Sequence, residues 1–220
     1  MSEQSYIALP SAASTRSDAA QVRPAMRAAA WVLLVGGLIA FAGVSRPIVG
    51  EWADASGHPD QQVAIALSDP SQFRLGFAGM GVGYACMGVA LVMWARGVAR
   101  LRRGRWATVA LAGGAVAGFG GVVLCLEQSI GPLVALEQTA AGGNIHAAAG
   151  VIGFLGLTLG FVVLGVANWW GPAPAWAGIV FALFGLAGLV LFPAFHIFGA
   201  ILFGLFCVFW FRRSWRPKVR

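Results

Sequence analysis

Long apolar runs separated by short polar segments make up most of this chain. Six runs approach the length of about 20 residues that a helix needs to cross about 30 Å of hydrocarbon. They cover residues 27–45, 75–95, 106–127, 146–168, 175–192 and 195–211. Pro193 marks a tight turn between the last two, which are the shortest. The pattern therefore predicts an all-α bundle of six transmembrane helices, arranged as three hairpins.

The polar segments between and beyond these runs predict two terminal tails and the loops of the transmembrane domain. Residues 1–24 are rich in Ala and Ser and aperiodic, which predicts a disordered tail. The transmembrane domain is expected over 25–212, followed by a short basic tail over 213–220. The two sizeable loops are 46–74, with a short helix expected over its Gln-Gln-Val-Ala-Ile-Ala-Leu stretch, and 128–145.

The composition fits a lipid environment. Hydrophobic residues make up 59% of the 220 positions and charged residues 10%. A soluble domain carries about a quarter charged residues, so the polar surface here is too small to cover a soluble globule. The chain is therefore expected to be an integral membrane protein.

The basic residues predict how the chain is oriented. Of its 15 Lys and Arg residues, only Arg46 and Arg74 fall outside three clusters that flank the runs, and six spans place all three clusters on one side. Basic clusters mark the cytoplasmic side, so both termini are predicted to be cytoplasmic. Because each cluster adjoins an apolar run, the net charge of +7 indicates contact with membrane lipid rather than nucleic acid. The abundance of Ala, Gly and Arg suggests a bacterial inner-membrane protein.

Glycine spacing predicts how the helices pack. Pairs of glycines four residues apart create a flat groove on a helix face, where a neighbouring backbone approaches closely. We favour packing within the chain over dimerisation as the use of these pairs. They are Gly79 and Gly83, Gly114 and Gly118, and Gly156 and Gly160.

Chemistry-bearing residues are scarce within the runs. Their cores contain no Asp, Glu, Lys or Arg, which disfavours a charge-lined conduction path. The chain has no Gly-x-Ser-x-Gly, His-Glu-x-x-His or phosphate-binding loop motif, so no catalytic residue is predicted. Its three cysteines are isolated and indicate packing rather than redox chemistry.

The remaining candidates are expected at one depth, near the outer membrane surface. His146 and His196 begin predicted spans, Glu127 ends one, and Arg74 and Arg46 flank others. The favoured interpretation is that the two histidines cap their helices or bond loop backbone, with no cofactor and no metal.

Two other interpretations of these residues stay open. His146 and His196 could ligate one b-type haem, or bind a metal together with Glu127. Alternatively, the five residues could form a pocket for an acidic or lipid-headgroup ligand.

Two segments carry a resemblance to known proteins. Residues 67–94, with Phe73, Arg74, Leu75 and Gly76 at the start of a span, are similar to an uncharacterised family of bacterial six-helix integral membrane proteins. Residues 145–161, which begin Ile-His and reach Gly at 150, resemble the same family more weakly. The resemblance implies the six-span architecture and brings no activity, cofactor or substrate.

Three functional hypotheses follow from the sequence. The first is a non-enzymatic accessory or scaffold subunit, or a binder of a hydrophobic ligand, that uses glycine-rich helix faces and outer loops. Its partner would be another membrane protein or an apolar molecule. The second is a single-haem or metal redox protein, and the third is a small-solute permease.

Overall fold

A computed structural model shows that the chain is helical throughout the part it describes. That part covers residues 12–55, 57–101, 104–136, 140–168, 173–190 and 194–213. It contains eight α-helices and no strand: α1 Ala12–Val44, α2 Pro47–Asp54, α3 Pro59–Ser68, α4 Pro70–Leu101, α5 Arg105–Leu136, α6 Ala140–Ala167, α7 Ala175–Val190 and α8 Ala194–Arg213. The predicted all-α class is confirmed.

Within the described residues, five helices are long and apolar enough to cross a membrane. The segments that meet this criterion are Val22–Val44, Pro70–Leu101, Arg105–Ile130, Ala148–Ala167 and Phe195–Arg212. The sixth predicted span coincides with α7, whose apolar stretch Ala175–Gly188 is shorter. At about 1.5 Å per residue, the 16 residues of α7 extend about 24 Å, less than the hydrocarbon thickness.

The five long helices and α7 form a closed ring within the described part of the chain. Each packs against the next in the order α1, α4, α5, α6, α7 and α8, and α8 returns to α1. Neighbours are antiparallel: Gly88 of α4 faces Gly121 of α5, and Gly204 of α8 faces Leu34 of α1. The ring therefore follows chain order from α1 to α8, and the contact between α8 and α1 closes it.

Close backbone contact holds α1, α4, α5 and α6 together. A Cβ atom added at Gly83 would lie 2.6 Å from the Ala40 nitrogen and 2.7 Å from the Gly36 carbonyl oxygen on α1. A Cβ at Gly156 would lie 3.0 Å from the Gly120 Cα on α5. Small residues are required here because only they let two helix backbones approach this closely.

Aromatic side chains fill the interior of the bundle next to α7 and α8. Phe161 of α6 stacks on Phe181 of α7 with centroids 4.2 Å apart, and Phe181 stacks on Phe203 of α8 at the same distance. Trp94 of α4 then meets Phe203 edge to face at 5.3 Å. The middle of the bundle is consequently packed with side chains from four helices.

The first helix begins earlier than the sequence pattern indicates. The described part of α1 starts at Ala12, within the stretch expected to be a disordered tail, and residues 1–11 lie outside the described residues. Alanine is the strongest helix former, which favours continuation of the helix towards the N-terminus. Arg23 also ties this end of α1 to α8, by donating a 2.6 Å hydrogen bond to the Phe211 carbonyl oxygen.

Two short helices, α2 and α3, cover one end of α4, and we call them the cap. Trp52 of α2 meets Phe77 of α4 edge to face, with centroids 5.2 Å apart, and Phe73 at 6.0 Å. Ile48, Val49 and Ala66 complete this small second core. The short helix expected within loop 46–74 is confirmed, because α3 covers that stretch.

Candidate functional site

His196 lies in the protein interior. It occupies the first turn of α8, and its side chain is 0% exposed. Phe161 meets the imidazole edge to face at 5.5 Å, and Phe154 lies 5.9 Å away with a tilt of 30°. The α-carbon of Gly188 on α7 also packs on the ring, and a Cβ there would overlap its atoms. Three helices therefore enclose this histidine.

Thr158 of α6 is the hydrogen-bond partner of His196. Its Oγ1 lies 2.8 Å from the histidine Nε2, and the threonine is itself buried. Phe154, Thr158 and Phe161 are spaced four and then three residues apart, so they share one face of α6. The fold thus places a polar partner of the imidazole between two aromatic ones. The expectation that His196 caps its helix or bonds loop backbone stays a prediction.

Glu127 lies at a different level of the bundle from His196. The side chain is partly buried, accepts a hydrogen bond from the Gln128 amide, and lies against Gly150 of α6. Thr158 is eight residues further along the same helix, which corresponds to about 12 Å. The structure does not bring Glu127 and His196 together as a ligand pair.

The two candidate arginines lie by the cap. Arg46 precedes α2 and donates a hydrogen bond from its guanidinium to the Gln72 side chain of α4. Arg74 is exposed on α4. The position of His146 is on α6, but its side chain lies outside the described residues, as do all side chains from 131 to 147. A shared site of all five residues therefore stays a prediction.

A carboxylate next to these arginines fixes the start of α4. The Asp69 Oδ1 accepts hydrogen bonds from the Ser71 hydroxyl at 2.7 Å and from the Gln72 backbone N–H at 3.1 Å. These bonds stabilise the ionised form, and they lower the pKa of Asp69 below its ordinary value of 3.8. Pro70 follows as the first helical residue, where its missing N–H costs nothing.

The six glycines expected at helix contacts all lie between neighbouring helices. Gly79 and Gly83 face α1 rather than α5, with a Cβ at Gly79 placed 3.4 Å from the Gly43 Cα. Gly114 and Gly118 face α4, and Gly156 and Gly160 face α5. These faces are already occupied within the chain, so they do not offer a free surface to a partner.

Two buried polar residues were not singled out from the sequence. Asn168, at the end of α6, is 0% exposed and donates hydrogen bonds to the carbonyl oxygens of Ala173 and Pro174, at 3.3 and 3.2 Å. Gln128 of α5 is buried beside Glu127. Asn168 closes the connection from α6 to α7. Its position before two tryptophans and a proline-containing turn was the only sequence signal for it.

An apolar groove opens on the outside of the α7–α8 pair. It encloses about 130 Å³, and its lining includes Trp176, Val180 and Phe184 from α7 with Gly199, Leu202 and Phe206 from α8. Trp176 meets Phe206 edge to face at 5.0 Å at one end. Aromatic side chains from both helices form its walls, and Gly199 lies so close to Phe184 that an added Cβ would be 2.7 Å from the Phe184 Cβ.

Charge separates the two ends of the ring. The Arg23 bond to Phe211, and the contact of Met26 with Gly97, bring the start of α1 and the ends of α4 and α8 to one end. This basic end carries the exposed arginines Arg23, Arg27, Arg96, Arg100, Arg105 and Arg212. The cap lies at the other end, with exposed Glu51, Asp54, Asp60 and Asp69.

Comparison with known proteins adds no family to these observations. The chain matches no protein-family model, no curated protein and no solved structure. Among the side chains that the structure describes, no three His, Cys, Asp or Glu residues are grouped so that they could hold a metal ion. The groove, the cap and the charge distribution are therefore the features that bear on function.

Proposed function

We propose that this chain is a non-enzymatic integral membrane protein that binds a hydrophobic ligand in the α7–α8 groove. The groove itself is the observation that carries the proposal. It is apolar, it has defined aromatic walls, and it opens on the side of the bundle that faces lipid if the long helices cross the membrane. A ligand would enter laterally from the bilayer without passing through the packed interior.

The topology we propose has six spans, with the basic end in the cytoplasm of a bacterial cell. Apart from Arg74 by the cap, the exposed arginines collect at one end of the ring, which the positive-inside rule assigns to the cytoplasm. A cysteine placed at Ala53 of the cap should then react with a membrane-impermeant maleimide from outside, and one at Arg100 should not. The reverse labelling pattern, in a background lacking the native cysteines, would overturn this orientation.

The groove supports ligand binding better than the interior supports the other two hypotheses. His196 is enclosed by Phe154, Phe161 and Gly188, so a haem next to it would need these helices to separate. Stacked rings from α6, α7 and α8 occupy the centre of the ring, which argues against a solute path there. Both hypotheses stay as alternatives, and the histidine test below addresses the first.

Filling the groove tests the proposed binding. Val180 lines it and is 43% exposed, whereas the adjacent Ile179 is 45% exposed and lies outside the lining. Native mass spectrometry of protein purified in mild detergent should detect a bound apolar molecule in the parent chain. Val180→Phe should lose it and the matched control Ile179→Phe should keep it. Equal retention by the two variants would refute binding in the groove.

A second candidate function is favoured by the cap. Its helices are fixed by their own core around Trp52, yet Leu67 of α3 is 61% exposed beside acidic residues. A rigid outer surface of this kind suits an accessory subunit that contacts another membrane protein. A photoreactive amino acid at Leu67 should then give one discrete crosslinked product in native membranes, and one at the exposed Leu183 of α7 should not. No product at either position would refute this role.

A further inference from the structure

The groove extends over only part of the α7–α8 pair. Its lining on α7 runs from Trp176 to Phe184, nine residues that extend about 12 Å along the helix. Beyond Phe184 the seam is closed, because Gly188 packs directly on the His196 ring. Half of a bilayer's hydrocarbon thickness is about 15 Å. The groove therefore matches one leaflet and starts at the basic end, where α7 begins and α8 ends.

The mouth of the groove has the features of a headgroup site. Trp176, in the first turn of α7, is 59% exposed, and indole rings are favoured at the level of lipid headgroups. Phe206 stacks on Trp210 with centroids 5.9 Å apart, which continues the aromatic wall to the last turn of α8. Arg212 is exposed in that turn, and the chain continues into the basic residues Arg213, Arg216, Lys218 and Arg220.

We infer that the groove holds an acyl chain of an anionic phospholipid, whose headgroup lies by Trp176 and the basic end of α8. This inference rests on the proposed function and names its ligand. The apolar wall accounts for the chain, and the positive charge accounts for preference among headgroups, because basic clusters next to a membrane helix attract anionic lipid. The lipid comes from the leaflet at the basic end.

The dimensions of the groove favour a lipid over a helix of a second copy. A partner helix that crosses the membrane needs a contact surface over most of about 30 Å, and it needs small residues along that surface. The groove covers less than half of that distance, and the only glycine in its lining is Gly199. An acyl chain bends to follow such a short aromatic channel, whereas a helix cannot.

Competition between lipids in nanodiscs tests the inference. The full chain is reconstituted in equimolar phosphatidylglycerol and phosphatidylcholine, released into mild detergent, and its retained lipids are counted by native mass spectrometry. Each basic residue near a membrane surface changes anionic-lipid affinity by about fivefold. The parent chain should retain phosphatidylglycerol over phosphatidylcholine by about tenfold, if two such residues contribute with partial screening.

Two sets of variants separate the groove from the charge. Arg212→Gln with Arg213→Gln should abolish the preference between the lipids while both still bind. Arg100→Gln with Arg105→Gln removes the same charge from α4 and α5, on the far side of the basic end, and should leave the preference unchanged. Val180→Phe should reduce retention of both lipids, and Ile179→Phe should not.

The outcomes distinguish this inference from the function on which it rests. Groove-dependent retention of both lipids without preference would overturn the anionic assignment and keep hydrophobic-ligand binding. Lipid retention that Val180→Phe leaves unchanged would overturn both. A dimer that dissociates in Val180→Phe would show that a second copy covers the groove, and would also overturn the inference.

Discussion

Helices on the two sides of the ring pack against each other through different kinds of residue. Between α1, α4, α5 and α6, glycines bring helix backbones into contact, as at Gly83 and Gly156. Between α7 and α8, large rings such as Phe184 and Phe206 line a groove. Small residues let two helix backbones approach closely, which bulky rings do not. We therefore predict that the close contacts between α1, α4, α5 and α6, the glycine side, contribute most to stability, whereas the proposed ligand site lies between α7 and α8, the aromatic side.

The largest expected effect comes from adding one methyl group on the glycine side. A Cβ at Gly83 would press on backbone atoms of Ala40 and Gly36, which cannot move without shifting α1. We expect Gly83→Ala to lower the free energy of unfolding by about 3 kcal/mol, measured by steric trapping in bicelles.

Gly50→Ala is the matched control for this change. A Cβ at Gly50 has no neighbour within 4 Å, so the variant should gain or lose less than about 1 kcal/mol. Equal free energies of unfolding for the two variants would contradict a stabilising role for the close contact at Gly83.

An intermediate effect on stability is expected from replacing the buried His196, which links α8 to α6. His196→Ala leaves a cavity and removes the partner of the Thr158 hydroxyl, so we expect a loss of about 2 kcal/mol. Thr158→Val should cost about 0.6 kcal/mol, the average for a hydrogen bond between membrane helices. A double-mutant cycle that gives no coupling would contradict the hydrogen bond.

The same protein tests the haem alternative. The parent chain is purified and its absorbance is recorded in the Soret region. A haem band that disappears in His196→Ala and persists in Thr158→Val would favour the redox hypothesis over the proposed ligand binding. It would also mean that the helices around His196 separate to admit the haem.

A small effect is expected in the groove. Val180→Phe adds a ring to open space on the aromatic side, so its free energy of unfolding should change by less than about 0.5 kcal/mol, as in Ile179→Phe. The measurement is the same steric trapping as for Gly83. Destabilisation comparable to that of Gly83→Ala would show that the α7–α8 seam is as tightly packed as the glycine side.

The smallest effect concerns pH and the cap end of α4. Because the pKa of Asp69 is lowered by its bonds to Ser71 and Gln72, its contribution is complete above the ordinary value of 3.8 and is lost as pH falls through the lower folded value. The protection of the first turn of α4 against hydrogen exchange, relative to the intrinsic exchange rate at each pH, should therefore decrease as pH falls below the ordinary value of 3.8. Asp69→Asn keeps an acceptor oxygen but should remove this pH dependence. An unchanged profile in the variant would assign the effect to another group.

The membrane-spanning character and the helix positions could be predicted because each depends on local sequence. Runs such as 75–95 and 106–127 lie within α4 and α5, and the stretch before Asp69 does form α3. The candidate site was less predictable. His196 and Glu127 lie at the ends of apolar runs, and this position predicted that they share one depth. In the structure the α7–α8 hairpin is short. His196 therefore contacts Thr158, which is 38 positions away in sequence.

The sequence alone determined that this chain is apolar and helical, that its basic residues adjoin the apolar runs, and that glycine pairs favour close packing. The tertiary structure decided which faces turn inward, which helix closes the ring, and where a groove remains. The physical reason is that lipid and protein interior are equally apolar. Phe119 is exposed and Ala117 is buried on the same helix, so hydrophobicity does not distinguish the two faces. Only the fit of side chains between helices does so.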